Sequence, residues 1–373
     1  MSAMFFVLGS VISFSVVLGS QTVALGGDFT QFDDLSKRCK ATDKTPSFET
    51  GKEIARIAIA EHKEFDGNRV DHTGRMIYFG HSESESDQQG GRNVSRKDIP
   101  WQKVLTYWEA IDSTERSAGH SPEDALKTSF YQNVLASPDT PIAADKVKLE
   151  KLLNVIAGIG LSTMGEDEPR IRAALQQSVI RSSISDVPWS AAFISATMRQ
   201  AKLTRPQFAF SPAHVIYIRQ AIKQSVTDLT SGPANAFYRA CDPQNTTPRV
   251  GDLYCYHRHV EGTSDVYTVR SGFTLFRSLF ADFVVNEHVN PISRSHCDIV
   301  VKVDDASKKV HVIGGNVQNS VTEKILNISE QRALSTSQGT KDCASYNPDK
   351  QGSDEPNCNL NNQKWFVLLQ ARM

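Results

Sequence analysis

The spacing of apolar residues changes once along this chain, and that change limits the folds open to it. Up to about residue 224 the apolar side chains recur at helical intervals; beyond 250 they come as short β-branched or aromatic runs bounded by turn residues. Helical spacing predicts helices over 50–65, where Ile54, Ile57 and Ala58 repeat, and over 101–111, where Trp101, Val104, Leu105 and Trp108 share a side. Further helices are predicted over 143–161, 168–184, 190–201 and 211–224, and strands over 250–256, 297–303, 310–313 and 365–370. Helices first and strands later is the order of an α+β domain, with helices packed on an antiparallel sheet. A chain of 373 residues is long enough for one such domain with a sizeable core.

Ahead of this pattern, nearly every residue from Met4 to Val17 is apolar or small, and Thr22-Val23-Ala24 fits a small-x-small cleavage site. Residues 1–24 therefore read as a secretory signal peptide. The apolar run is short for a membrane span, so no stable membrane insertion is expected once it is removed, and the mature protein is expected to be secreted or periplasmic. Residues 25–47 are polar and read as a loosely ordered segment. Residues 48–373 read as a single domain with a helical insertion over about 82–185 and a lid or substrate wall over 257–295, the latter holding a helix at 273–283. The domain ends in a C-terminal strand over 364–371. Six cysteines behind an export signal read as disulfides; Cys343 and Cys358 flank a polar loop that a bridge would staple. No cysteine spacing matches a zinc site or a Cys-x-x-Cys redox motif, so neither a metal nor a cofactor is expected. Lysine plus arginine number 41 against 42 for aspartate plus glutamate, which gives no electrostatic reason to expect a nucleic acid partner.

Four segments carry the residues suited to chemistry. In Pro188-Trp189-Ser190-Ala191-Ala192-Phe193 the proline opens a helix and puts Ser190 at its start. There the unpaired backbone N–H groups and the positive end of the helix favour an anion, as a nucleophile and its oxyanion require, although serine at a helix start is also an ordinary cap. The second segment, Pro248-Arg249-Val250-Gly251-Asp252-Leu253, leads into a strand. The third, His296-Cys297-Asp298-Ile299-Val300, begins one, so that His296 and Asp298 share a face and Cys297 points the other way. A histidine at a strand end beside a helix start is a workable general base. His214, in Ser211-Pro212-Ala213-His214 at another helix start, competes for that role or lines the substrate site. The fourth segment ends a strand in Gly314-Gly315-Asn316, where Asn316 could orient the imidazole or simply form a turn.

The order of these segments resembles the CHAP family, the cysteine- and histidine-dependent amidohydrolases and peptidases, within the wider NlpC-like group of papain-fold enzymes. Those proteins carry Pro-Trp-Cys-Ala-x-Phe at the helix start, then Pro-x-x-Gly-Asp, then His-Val-Gly-Ile-Val, then a Gly-Asn strand end. The chain is similar, more closely still, to an uncharacterised bacterial domain family with serine at the nucleophile position. The resemblance implies a papain-like core with a small antiparallel sheet on the nucleophile helix, and cleavage of amide bonds in cell-wall peptides. It implies Ser190 as nucleophile, His296 as base, Asn316 or Asp298 as the orienting group, and Trp189, His214, Asp252 and Gly315 as substrate-binding. It also places Cys255 and Cys297 on neighbouring strands, where a bridge can form. Serine in place of cysteine is the departure: a hydroxyl does not ionise as a thiol does and must lose its proton to the base during attack. Two functions follow as expectations. One is an exported hydrolase of amide or ester bonds; the other is an inactive relative that binds cell-wall glycan or peptide in the same groove.

Overall fold

The structure, a computed structural model, describes residues 25–41, 47–85, 99–111, 187–230, 232–233, 235–258, 274–285, 294–338 and 359–372. Its helices are α1 (Leu25–Ala41), α2 (Glu49–Glu64), α3 (Pro100–Glu109), α4 (Ser190–Gln200), α5 (His214–Leu229) and α6 (Leu275–Val285). Its strands are β1 (Asn68–Val70), β2 (Met76–Tyr78), β3 (Tyr238–Cys241), β4 (Leu253–His257), β5 (Ser295–Asp304), β6 (Lys309–Val317), β7 (Ser320–Asn327) and β8 (Lys364–Ala371). They form one sheet in the order β2-β1-β7-β6-β5-β4-β8-β3. Every neighbouring pair is antiparallel except β1 with β7, which is parallel. The fold is thus mixed α+β, but the sheet is larger than the small antiparallel one expected. The extra width comes from β7 and from the short strands β1, β2 and β3.

Helix α4 is enclosed by the other described elements. Its residues from Ser190 to Met198 are all buried, because it lies between the β5–β6 face of the sheet and helices α2 and α3. Small side chains, Ala191, Ala192 and Ala196, let these neighbours approach. The sheet makes the same concession at Gly315, where a Cβ would fall 2.5 Å from the Cβ of Phe193. On the far side of α4, Tyr107 of α3 packs against Trp189 and Phe193 with ring centroids 5.6 and 5.5 Å away. The Tyr107 hydroxyl donates to Glu61 of α2, whose carboxylate also pairs with Lys103, so α2 and α3 are tied together beside the helix they cover.

One expectation about the N-terminal third needs correcting, and several others fall outside the described residues. Residues 25–41 are not a loose polar segment. They form α1, whose Phe32, Leu35 and Cys39 recur at helical spacing; Leu35 and Cys39 are buried, and Phe32 packs on Phe276 and Phe280 of α6. A disulfide from Cys39 to Cys241 fixes α1 to β3. The signal peptide of 1–24, the helices at 143–161 and 168–184, most of the insertion over 82–185, and Cys343 and Cys358 lie outside the described residues. Of the stretch 257–295, the described parts are the end of β4, Arg258, the region of α6 and residues 294–295.

A second disulfide joins Cys255 to Cys297, which face each other on β4 and β5 as the resemblance implied. Disulfides form and persist outside the reducing cytoplasm, and two of them mark this as a non-cytoplasmic protein. Among the described residues no helix is long and apolar enough to cross a membrane.

Candidate active site

Two helices begin at the same place. Ser190 is the first residue of α4 and His214 the first of α5, and Ser190 Oγ lies 2.7 Å from His214 Nε2. The proline before each start, Pro188 and Pro212, leads the chain into its helix. One turn along α5, the Tyr217 hydroxyl hydrogen-bonds His214 Nδ1. The beginning of β5 supplies His296 and Asp298 on one face, with His296 Nε2 2.9 Å from Asp298 Oδ1. Cys297, on the other face, is held in its disulfide. Between the serine and this second histidine lies Arg258, just past the end of β4. Its Nη2 donates to Ser190 Oγ at 3.2 Å and to His296 Nδ1 at 2.7 Å.

Beneath Asp298 the network continues into the sheet. Lys324 of β7 reaches across β6 and donates to Asp298 Oδ2 at 3.0 Å, with the Tyr256 hydroxyl at 3.4 Å; its ammonium sits over the rings of Tyr256 and Trp365. What allows this is Gly314 on the intervening strand. A Cβ there would fall 1.8 Å from Asp298 Oδ1 and 3.0 Å from His296 Nε2, so the absent side chain is the space the pair occupies.

A guanidinium has only donors, which fixes the proton positions at His296. Nδ1 must present its lone pair to Arg258, so Nε2 carries the proton and donates to Asp298. Ser190 Oγ likewise accepts from Arg258, leaving its own proton for His214 Nε2; His214 Nδ1–H then donates to the Tyr217 oxygen. Burial, opposed by Asp298, brings His296 down to about 4. Burial, then His296 and Arg258, hold His214 well below the ordinary histidine range. Burial pushes the Asp298 carboxyl up, but Lys324 and His296 outweigh it and bring it down to about 2. At neutral pH both imidazoles are therefore neutral and Asp298 is ionised.

The bacterial family described as "Uncharacterized protein conserved in bacteria (DUF2272)" matches residues 170–371. The chain belongs to this family. No curated protein and no solved structure matches it. All the residues of the network, from Ser190 to Lys324, lie within the DUF2272 match.

Not every residue singled out in the sequence comes to this place. Ser190, His214, His296 and Asp298 do. Asn316 does not hold the imidazole, since both ring nitrogens of His296 are engaged by Arg258 and Asp298; it sits instead at positive φ just before the Gln318–Asn319 hairpin turn. Trp189 is fully buried, stacked on Phe65 with its indole N–H on Glu83 at 2.6 Å, which makes it core rather than substrate-facing. Gly315 packs against Phe193 and Trp189. Asp252 lies at the other end of β4 from Arg258, where its oxygens accept backbone N–H bonds from Arg249 and Ala371. Three members of the site had no sequence-level signal assigned to them: Arg258, Tyr217 and Lys324. Only Tyr217 left a readable trace, three residues after His214 on one helix face.

Proposed function

We propose that the protein is an exported hydrolase in which Ser190 attacks an acyl carbon and His296 is the general base. The observation that carries this reading is the placement of Ser190 Oγ at a buried helix start, on the neutral imidazole of His214 and linked through Arg258 Nη2 to that of His296, which is backed by an ionised carboxylate. The choice of base follows from charge. Once Arg258 has moved off Nδ1, an imidazolium formed at His296 would face Asp298, whereas one at His214 has the Tyr217 hydroxyl and no carboxylate partner among the described residues. His214 is accordingly assigned to holding the hydroxyl in the resting site.

In the acylation step Arg258 moves off His296 Nδ1, the serine hydroxyl turns from His214 towards that nitrogen, Ser190 Oγ bonds to the substrate carbonyl carbon and its proton passes to His296 Nδ1. The tetrahedral oxyanion is met by Arg258 and the free N–H groups at the start of α4. Collapse breaks the bond to the amine or alcohol, which leaves with the proton from His296. Water, losing a proton to the same nitrogen, then releases the acid and restores the hydroxyl. The order of the four sequence segments, together with α4 packed against β5, which carries His296 near its start, supports a papain-like reading of the core and a cell-wall peptide as substrate. Membership of a family described as conserved in bacteria, and disulfides of a kind made outside the cytoplasm, accord with a periplasmic or secreted setting.

A second reading, an inactive relative that binds cell-wall glycan or peptide, is favoured by one observation: Ser190 is only 3% exposed and Arg258 occupies the lone pair of His296. Turnover of peptidoglycan sacculi and of p-nitrophenyl esters separates the two. Ser190→Ala and His296→Gln are each expected to lower turnover by about a thousand-fold or more. Sacculus binding without turnover by the wild type gives the binder, and His296→Gln retaining most activity would move the base to His214.

A further inference from the structure

Among the described residues the site holds two cations, Arg258 and Lys324, and one carboxylate, Asp298. Lys324 takes that carboxylate: its ammonium is on Oδ2, while Oδ1 serves His296. Arg258 has no carboxylate partner among the described residues. Its contacts in the site are a hydroxyl and a neutral imidazole. Arg258 is half-buried, its guanidinium meets no anion among the described residues, and its planar fork matches a carboxylate better than it matches either present partner. The surroundings favour an anion as well, because the positive ends of α4 and α5 converge on the same point.

We propose that Arg258 is the receptor for a carboxylate carried by the substrate close to the bond that is cut, so that the site acts on acidic acyl groups or peptides rather than neutral ones. This rests on the reading of Ser190 and His296 as the hydrolytic pair. It also supplies what that pair lacks at rest. A substrate carboxylate that takes the guanidinium releases the lone pair of His296 Nδ1, which is then free for the serine proton. A neutral substrate does not compete for Arg258, so the base is open only for the fraction of time that the guanidinium swings off His296 by itself. The anionic substrate thus selects itself by unmasking the base, and Arg258, shifting by no more than the reach of its own side chain, stays near enough to Ser190 to serve the oxyanion.

The test separates this inference from the hydrolase reading by measuring binding without chemistry. Monomethyl glutarate (an anion) and dimethyl glutarate (its neutral counterpart) would be titrated calorimetrically into the Ser190→Ala protein. The anion is expected to bind about ten-fold or more tightly than the neutral ester, as a charge-assisted contact requires. Adding Arg258→Gln should bring the two within about two-fold, while Arg258→Lys, which keeps the charge but not the fork, should retain part of the preference. Thermal melts establish that each variant is folded. Equal binding of the two probes to Ser190→Ala, or an anion preference that survives Arg258→Gln, overturns the proposal. In the wild type, the mono-p-nitrophenyl ester of glutarate should be cleaved about ten-fold faster in kcat/KM than p-nitrophenyl valerate. Anion binding through Arg258 with no Ser190-dependent cleavage of either ester supports the carboxylate receptor and refutes the hydrolase alone.

Discussion

Lys324→Met is expected to destabilise the fold by about 3–5 kcal/mol at pH 7, because it leaves Asp298 ionised, buried and without its cation. The pH dependence identifies the cause. With Lys324 present, Asp298 titrates near 2 in the folded state against an ordinary 3.8, so its pairing stabilises the fold above about pH 4 and is lost as pH falls towards 2. Without Lys324 the folded carboxyl titrates higher. The gap between variant and wild type is therefore widest at neutral pH and narrows in acid, where the variant's Asp298 is protonated. His296 moves as well. Lys324 is one of the charges that lower it, so removing the lysine raises the histidine from about 4 and shifts the acidic limb of kcat/KM to higher pH. Urea denaturation at pH 7 and at pH 3, with the pH–rate profile, measures both effects. A cost that is the same at the two pH values would mean that Lys324 acts through packing alone.

The second large effect concerns the bridge beneath the site. Cys255 and Cys297 are fully buried and 42 residues apart in sequence, and their strands deliver Arg258 and His296 to the site. Replacing both by alanine releases a loop of that length in the denatured chain, at a cost of about 4 kcal/mol. Chemical denaturation of the double variant reads this directly. Activity is expected to fall too, since the backbone N–H of Arg258 bonds Arg294 O as a continuation of the β4–β5 ladder that the bridge clamps. A loss below about 1 kcal/mol would mean that the bridge does not restrict the denatured chain as loop closure over that length requires.

The sequence revealed the parts of this molecule that keep a regular period and concealed those that serve the site. The α2, α3 and α4 helices lie within a residue or two of their expected bounds, because each has an apolar face at helical spacing. By contrast, β7 was missed for a physical reason. Its inward side chains run Ser320, Thr322, Lys324, Leu326, so the usual apolar alternation is absent: Lys324 enters the buried network, and the Ser320 and Thr322 hydroxyls bond the backbone carbonyls of His81 and Val317. Strands β1 and β2 are three residues each, too short to show a period. The α1 pattern of Phe32, Leu35 and Cys39 was present, but masked by the glycines at 26 and 27 and by the charges between. Pairing of His296 with Asp298 was legible because alternate residues of a strand share a face. Arg258 was not, because nothing in His257-Arg258-His259 tells which side chain turns inward, and the bond from Ser190 to His214 depends on two helices meeting in space.

The most direct measurement is covalent. Reaction of the wild-type protein with a fluorophosphonate, followed by peptide mass spectrometry, should place one phosphonyl group on Ser190 with loss of fluoride. His296→Gln should label far more slowly and Ser190→Ala not at all. Labelling that proceeds unchanged without the imidazole of His296, or a wild-type Ser190 that stays unmodified while the protein cleaves esters, would contradict the assignment of nucleophile and base.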